Sequence, residues 1–261
     1  MTRVTGQTNY QLENLVMWSN LDAATVDDEI DSQTAYFNAI GHNFEWLVYG
    51  HDAPKDLVQR LKVRGFECES EEQVVIAEPE TIGEHSVPAG VELMALEDPD
   101  RVADVVAIQS AVWGRGQYDF LTRWLTKMLL DRPEESIVLV AYADGQPIAS
   151  AWATLWDHRE FAPLFGGSVL PEWRGQGIYR AMVSARVAAA AARGSEVEKC
   201  AASDMARPVF SANGVASDKT HNPPCIHKTR AMARNGKSRV SKEGLPVKRL
   251  GHLVGYHYLP K

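Results

Sequence analysis

An apolar strand, a glycine-containing turn and a long alanine-rich helix follow one another in this chain, and this succession constrains the fold more than any other feature. The strand is predicted over residues 164–170 and the helix over residues 178–193. Gly175 and Gly177 in the turn let the backbone approach a ligand closely. The start of a helix presents unpaired N–H groups and the positive end of its dipole. The turn is therefore predicted to bind an anionic group, typically a diphosphate.

Two other phosphate-binding patterns do not fit this turn. The dinucleotide pattern G-x-G-x-x-G requires a third glycine where Arg180 stands. The kinase-type phosphate loop requires a G-K-[S/T] ending that the turn lacks. Arg174 either adds a charged donor to the anion site or braces the turn from outside.

Hydrophobic patterning places alternating strands and helices along the rest of the chain. Strands are predicted at 44–49, 72–77, 91–96, 137–142, 147–155 and 196–202, and helices near 53–63, 99–113, 118–130 and 206–213. Asp144-Gly145 lies between two of these strands and predicts a tight hairpin. A polar stretch over residues 78–90 is the best linker candidate. We therefore expect an N-terminal α/β subdomain at 1–90, a larger α/β domain at 91–217 and a tail at 218–261.

Composition and charge exclude several classes of protein. The chain has 261 residues, 45% of them hydrophobic, and a net charge of -7. No apolar run approaches the length of a membrane span and the start of the chain resembles no signal peptide, so we expect a cytoplasmic protein. Cys68, Cys200 and Cys225 are far apart, which predicts reduced thiols. An acidic body disfavours nucleic-acid binding outside the tail, because phosphates are bound mainly by Lys and Arg.

The run V-L-P-E-W-R-G-Q-G-I-Y-R-A-M-V at residues 169–183 resembles the acetyl-CoA motif of the GNAT N-acetyltransferase superfamily, R/Q-x-x-G-x-G/A after V-x-P. Tyr179 stands where the motif has Gly or Ala, but the binding group there is a backbone N–H, which Tyr also has. The resemblance implies a mixed, mostly antiparallel sheet flanked by helices. The N-terminal subdomain is then either a degenerate half of the same fold or an unrelated α/β cap.

The resemblance also implies where acetyl-CoA binds as the acyl donor. The strand at 164–170 is expected to diverge from the strand at 196–202, so that the pantetheine arm inserts between them. The implied cofactor-binding residues are Ser168, Val169 and Leu170 for the arm, and Arg174, Gly175, Gln176, Gly177, Ile178, Tyr179 and Arg180 for the diphosphate. No metal is expected. A cluster of His221, Cys225 and His227 lacks a nearby fourth ligand for a structural zinc site.

The reaction implied by the resemblance is acyl transfer from a thioester to an amine of unknown identity. The backbone N–H of Val169 would stabilise the oxyanion. A base must take a proton from the acceptor ammonium, and the candidates are Asp157, His158, Glu160 and Asp204. Many relatives protonate the departing thiolate with a tyrosine, and Phe210 stands at the corresponding position here. The alternative function is therefore a non-catalytic acyl-CoA-binding or regulatory module.

The tail differs from the rest of the chain, since residues 218–261 carry ten Lys/Arg and two Asp/Glu. It has no sustained period of a strand or a helix, and we expect it to be poorly ordered. Either a frame-shift near Gly214 replaced the family's last strands, or the tail is a genuine extension that contacts RNA or an acidic partner. The resemblance is also compatible with a homodimer.

Overall fold

A computed structural model describes residues 1–7, 13–68, 72–77, 82–114, 118–155, 161–194, 197–202 and 226–233. The chain divides into two compact units, and the division after the N-terminal part falls between Val74 and Val75. Among the described residues, none of the helices has the length and apolar character needed to cross a membrane.

The N-terminal unit is a small sheet with two helices. Its elements are β1 (Thr2–Val4), β2 (Leu15–Met17), α1 (Val26–Ala39), β3 (Phe44–Tyr49), α2 (Leu57–Val63), β4 (Glu67–Cys68) and the start of β5 (Glu72–Ala77). β2 is antiparallel to β1 and parallel to β3. Its core contains Phe37 of α1 stacked on Phe44 of β3, with ring centroids 4.3 Å apart. Burial of these aromatic rings stabilises the packing of α1 on the sheet.

The second unit contains the sheet on which the candidate site is built. Its described elements after β5 are β6 (Val91–Ala95), α3 (Val102–Trp113), α4 (Asp119–Asp131), β7 (Ser136–Ala143), β8 (Gln146–Thr154), β9 (Phe161–Val169), α5 (Ile178–Ala191) and β10 (Val197–Ala202). The strands lie in the order β6-β7-β8-β9-β10. Neighbouring strands are antiparallel, except that β10 is parallel to β9. The mixed, mostly antiparallel sheet predicted from the sequence is thus confirmed.

The hairpin between β7 and β8 forms at the predicted dipeptide. Asp144 and Gly145 have φ angles of 48° and 74°. Positive φ at both central residues gives the two-residue turn whose twist matches that of the flanking strands. The pair Ala143↔Gln146 flanks the turn, and the register of the two strands shifts between Ala141 and Tyr142. The hairpin prediction is confirmed.

Helices α3 and α5 pack on opposite faces of this sheet. Ala149 and Val169 pack with Ile178 and Met182 of α5 in one buried cluster. Side chains alternate between the two faces along a strand, so Ser150 points to the other face. There it accepts a hydrogen bond from α3. The middle of β8 and β9 is therefore covered by one helix on each side.

The described part of the tail forms a strand that the sequence pattern does not predict. β11 (Ile226–Ala233) pairs antiparallel with β3, β4 and β5 of the N-terminal unit. Its pairing partners lie more than 140 residues earlier in the chain, so local sequence carries little information about it. The predicted division at 90 and 217 and the expected disorder of the tail stay predictions.

Candidate active site

The turn before α5 leaves its backbone amides open. Gly175 and Gly177 have φ angles of 77° and 84°, and a Cβ built on either glycine would meet nothing within 4 Å. Gly177 is the residue that precedes the first helical turn, and no side chain caps the helix. Ala181 is the residue whose N–H donates to the Gly177 carbonyl, at 3.0 Å. The three amides before it, from Ile178 to Arg180, have no acceptor within the helix. An anion can therefore approach a set of outward-facing N–H groups.

The charges of the first turn agree with an anion site. No acidic residue lies in the first turn of α5, and Arg180 is exposed there. By contrast, the first turn of α1 carries Asp27, Asp28 and Glu29. Carboxylates at a helix N-terminus compete with a bound anion for the same positive potential. Of these two helix starts, the one before α5 is the one suited to a diphosphate.

The strands β9 and β10 pair over only part of their length. Their parallel register runs from Phe161↔Val197 to Leu164↔Cys200 and ends there. β9 continues to Val169 and β10 to Ala202. Among the described residues, the edge of β9 beyond Leu164 is therefore not paired with β10. The end of this pairing agrees with the divergence that the resemblance implies between these strands.

Val169 presents its backbone to this unpaired edge. The N–H of Leu170 donates to the Ile148 carbonyl on β8, at 2.9 Å. Because hydrogen-bonding direction alternates along an antiparallel strand, the N–H and C=O of Val169 point away from β8. The side chain of Arg174 donates from Nε to the Val169 carbonyl at 3.0 Å, which agrees with this direction.

The predicted arm-binding residues therefore differ in what they offer. The N–H of Leu170 is engaged with Ile148, and the ladder pairs Ser168 with Ser150. Val169 is the member of the three whose backbone faces the open edge. Arg174 braces the turn through the Val169 carbonyl, which is one of the two roles considered for it.

A β-bulge interrupts β9 just before Val169. Between the pairs Ser150↔Ser168 and Trp152↔Phe165, β9 has two residues, Gly166 and Gly167, where β8 has one. Gly166 has a φ of 59°, and a Cβ there would lie 1.8 Å from the ring of Trp152. Only glycine fits this position, because both the backbone conformation and the adjacent indole exclude a side chain.

Buried polar side chains of α3 contact the two strands at the bulge. Gln109, with no exposed surface, donates to the Ser150 hydroxyl at 3.0 Å and to the Gly166 carbonyl at 2.7 Å. The Ser168 hydroxyl donates to Oε1 of Gln109 at 3.2 Å and accepts from Nε1 of Trp113 at 2.9 Å. These bonds satisfy the donors and the acceptor of the buried Gln109 amide.

Tyr118 completes this network from the start of α4. Its hydroxyl donates to the carbonyl oxygens of Gln109 and Gly114, at 3.0 and 2.9 Å, which share its proton. Burial raises the pKa of Tyr118 to about 12, because the phenolate form would lose its hydration. The hydroxyl therefore remains a hydrogen-bond donor at neutral pH.

The corresponding strand pair in the N-terminal unit is closed. Beyond the parallel strands β2 and β3, the N–H of Ala53 donates to the Ser19 carbonyl at 2.8 Å, and the N–H of Leu21 donates to the Ala53 carbonyl at 3.1 Å. Nε1 of Trp46 donates to the Ser19 hydroxyl at 2.9 Å. These bonds join the segments that follow β2 and β3. In the second unit, the corresponding strands β9 and β10 are not paired at this position. In the part of the N-terminal unit that the structure describes, this strand pair therefore has no open edge like that of the second unit.

Several predicted features lie outside the described residues. They are the base candidates Asp157, His158, Glu160 and Asp204, the helix predicted at 206–213 with Phe210, the tail residues His221 and Cys225, and residues 78–81 of the predicted linker.

Sequence patterns did not indicate Gln109 or the buried Arg186 of α5 as parts of this site. A weak signal existed for Gln109, which with Ser110 is one of two polar residues in the run V-V-A-I-Q-S-A-V. Arg186 lies among alanines and valines at a position that the sequence alone does not distinguish from an exposed one. Their contacts depend on the tertiary pairing of β8 with β9.

A protein-family model matches part of the second unit. Residues 95–211 match the model of the Acetyltransferase (GNAT) family. None of the curated proteins compared matches the chain significantly.

Solved structures share the fold at low sequence identity. A GCN5-related N-acetyltransferase from Kribbella flavida is 16% identical, with a TM-score of 0.64 over 88% of this chain and 85% of that one. A functionally unknown conserved protein from Staphylococcus epidermidis ATCC 12228 is 15% identical, with a TM-score of 0.65 over 87% of each chain. A tandem GNAT protein from the clavulanic acid biosynthesis pathway is 14% identical, with a TM-score of 0.54 over 80% of this chain and 68% of that one.

Proposed function

We propose that this chain, whose residues 95–211 belong to the Acetyltransferase (GNAT) family, transfers the acetyl group of acetyl-CoA to an amine. The observation that carries the proposal is the combination of two open features in one unit. The amides before α5 face outward, and β9 leaves β10 after Leu164. A diphosphate and an extended pantetheine arm require these two features side by side.

The residues present fit acetyl-CoA in the following way. The amides from Gly175 to Arg180 would bind the diphosphate, with the positive end of the α5 dipole behind them. The unpaired edge of β9 at Val169 would pair with an amide of the arm, as a neighbouring strand does. Space supports the fit at the turn, since nothing lies within 4 Å of a Cβ built on Gly175 or Gly177.

Acetyl-CoA, when bound, supplies a thioester carbonyl for attack by an amine. The N–H of Val169 would donate to the carbonyl oxygen, where negative charge develops during the attack. Because a backbone amide is fixed by the strand, it needs no rearrangement as the charge appears. Val169 is in this proposal a catalytic residue through its backbone.

The proton of the acceptor ammonium requires a base. The proposed candidates remain Asp157, His158, Glu160 and Asp204. They follow β8 or β10 in the sequence, and we expect the ends of these strands to border the cleft. Phe210 cannot donate a proton to the departing thiolate. A thiol with a pKa of about 8.5 can leave as the thiolate, so the lack of an acid lowers the rate more than it blocks the reaction.

Several points remain proposals from the sequence. They are the amine nature of the acceptor, a cytoplasmic location, a homodimer, and a role of the basic tail with RNA or an acidic partner. Replacing Lys242, Lys248 and Arg249, which lie outside β11, by Gln tests the tail, because salt-sensitive RNA binding through these charges would weaken while β11 keeps its pairing with the N-terminal unit.

The function is tested with the full chain, acetyl-CoA and a panel of amines, by following the release of free CoA thiol. The reaction without amine measures background hydrolysis. We expect saturable binding of acetyl-CoA by calorimetry and amine-dependent thiol release with at least one acceptor. Binding without turnover across the panel would support the alternative, a non-catalytic acyl-CoA-binding module. An absence of acetyl-CoA binding would overturn both functions.

A further inference from the structure

The bulge of β9 lies between the candidate diphosphate site and the point where β9 leaves β10. A bulge disrupts the ladder locally and needs other partners for its carbonyl groups. In this chain the carbonyls of Phe165 and Gly166 both accept hydrogen bonds from buried side chains. The two donors, Arg186 and Gln109, come from different helices.

Gln109 acts on the side of the bulge toward Val169. Its amide contacts the hydroxyls of Ser150 and Ser168, which are directly opposite each other on β8 and β9. The same amide donates to the Gly166 carbonyl inside the bulge at 2.7 Å. Gln109 thereby connects the regular pair Ser150↔Ser168 to Gly166 inside the bulge.

Arg186 acts on the other side of the bulge and from the other face of the sheet. Its guanidinium is 1% exposed and donates from one nitrogen to the carbonyls of Trp152 and Phe165, both at 3.1 Å. These two residues form the first regular pair after the register shift. Nε of Arg186 also donates to the Met182 carbonyl at 3.0 Å, which fixes the side chain along its own helix.

We infer that Gln109 and Arg186 are positioning residues of the acyl-transfer site, which hold the bulge of β9 in the form that keeps the edge at Val169 open to the pantetheine arm. The inference rests on the proposed function. Both side chains donate to backbone carbonyls of β9, so both act through the backbone of this strand.

The position of these contacts argues for a role in the site rather than in general packing. Burial of a guanidinium costs free energy unless its donors find acceptors, so a buried arginine is retained where it satisfies particular groups. Here the acceptors are carbonyls on both strands at the register shift. One residue of slip between β8 and β9 would turn the Val169 N–H toward β8 and close the edge.

The test separates the arm from the nucleotide. Coenzyme A and 3′-phosphoadenosine 5′-diphosphate, which lacks the arm, are titrated calorimetrically into the full chain. The affinity ratio, the dissociation constant of the nucleotide divided by that of coenzyme A, measures the affinity gained from the arm. The variants are Gln109→Met, which keeps the side-chain length, and Arg186→Met, which keeps an unbranched apolar stem; both remove the donors.

The control is Gln33→Met in the N-terminal unit. Gln33 is also a buried helical glutamine, which accepts from Arg3 and donates to Glu29. Gln109→Asn and Arg186→Lys each retain a donor and are milder variants for use if a methionine variant does not fold. Thermal melting of every variant reports its stability separately from its affinities.

We expect Gln109→Met and Arg186→Met to lower the ratio about tenfold, the equivalent of one or two lost hydrogen bonds, while affinity for the nucleotide changes less than about twofold. Gln33→Met is expected to leave the ratio unchanged. Variants that melt earlier but keep the wild-type ratio would overturn the inference, because the contacts would then be structural only. An equal loss of affinity for both ligands would also overturn it. A wild-type chain with no gain from the arm would instead overturn the proposed function.

Discussion

The ring of Tyr179 lies directly over the backbone of Gly167. A Cβ built on Gly167 would be 2.6 Å from Cε2 of Tyr179 and 3.4 Å from its hydroxyl oxygen. The aromatic ring of α5 thus occupies the space of a side chain that β9 lacks. This pairing explains how a tyrosine is accommodated where the acetyl-CoA motif has Gly or Ala, since the volume added on the helix is removed from the strand.

Gly167→Ala tests this packing. We expect the added methyl group to force the Tyr179 ring aside and to destabilise the fold by about 1–3 kcal/mol, as overpacking does. Gly83→Ala is the control, because the nearest atom to a Cβ there lies at 3.9 Å. Denaturant unfolding of Gly167→Ala, Tyr179→Ala and the double variant measures the coupling. Additive effects in the double variant would show that the two residues do not share one space.

Gln176→Glu tests the diphosphate site independently of folding. Gln176 is exposed at the start of α5. A negative charge there favours the helix through its dipole but repels a bound diphosphate. We expect an unchanged or slightly raised melting temperature and an affinity for CoA weakened about tenfold at low salt, with a smaller effect at high salt.

Gln59→Glu is the matched control for this charge. Gln59 is an exposed residue of α2 in the N-terminal unit, and the same change there is expected to leave CoA affinity unaltered. Equal affinities in Gln176→Glu and the wild type at low salt would contradict the placement of the diphosphate.

Tyr118 is expected to make stability fall with pH in the alkaline range. Its pKa is about 12 in the folded chain and 10.0 in its unperturbed state, so the folded chain retains a proton that the unfolded chain loses. The stabilisation is complete below the unfolded value and is lost as the pH rises through the folded value. Urea unfolding of the wild type and Tyr118→Phe between these pH values checks this. The two chains should show different slopes, and parallel curves would refute the buried hydroxyl.

Asp52 of the N-terminal unit is expected to ionise less readily in the folded chain than an ordinary surface carboxylate does. Burial raises its pKa from the usual value of 3.8, against hydrogen bonds from the backbone of Tyr49 and Ser19 that lower it. Folding therefore favours the neutral form of Asp52 over the charged form, and this contribution to stability is present at low pH and lost as the pH rises through the raised pKa.

Asp52→Asn removes this ionisation. We predict a higher melting temperature than the wild type at neutral pH and a difference that shrinks toward pH 3. A stabilising effect of the same size at both pH values would show that ionisation of Asp52 is not responsible.

Local signals in the sequence predicted most elements of the second unit. The Asp144-Gly145 turn and the alanine-rich helix α5 carry strong conformational preferences within a few residues, and both form as predicted. β2 was not predicted, because three residues are too few to show an alternation and its partner β3 lies far along the chain.

The candidate site was predictable only where its chemistry is encoded locally. Glycines at a helix start indicate exposed amides, so a candidate diphosphate site could be proposed from the sequence. The bulge, by contrast, is a relation between the registers of β8 and β9, and Gly166 and Gly167 alone do not specify it. The roles of Gln109 and Arg186 depend on that register. The register also determines whether the backbone N–H of Val169 or that of Leu170 faces the open edge.

A crystal structure of the full chain with CoA tests the central claim most directly. We predict that the diphosphate oxygens accept hydrogen bonds from the amides between Gly175 and Arg180, and that the arm runs along β9 with an amide paired to Val169. A diphosphate bound elsewhere would contradict the account. So would an edge at Val169 that is filled by β10 or by the chain's own side chains.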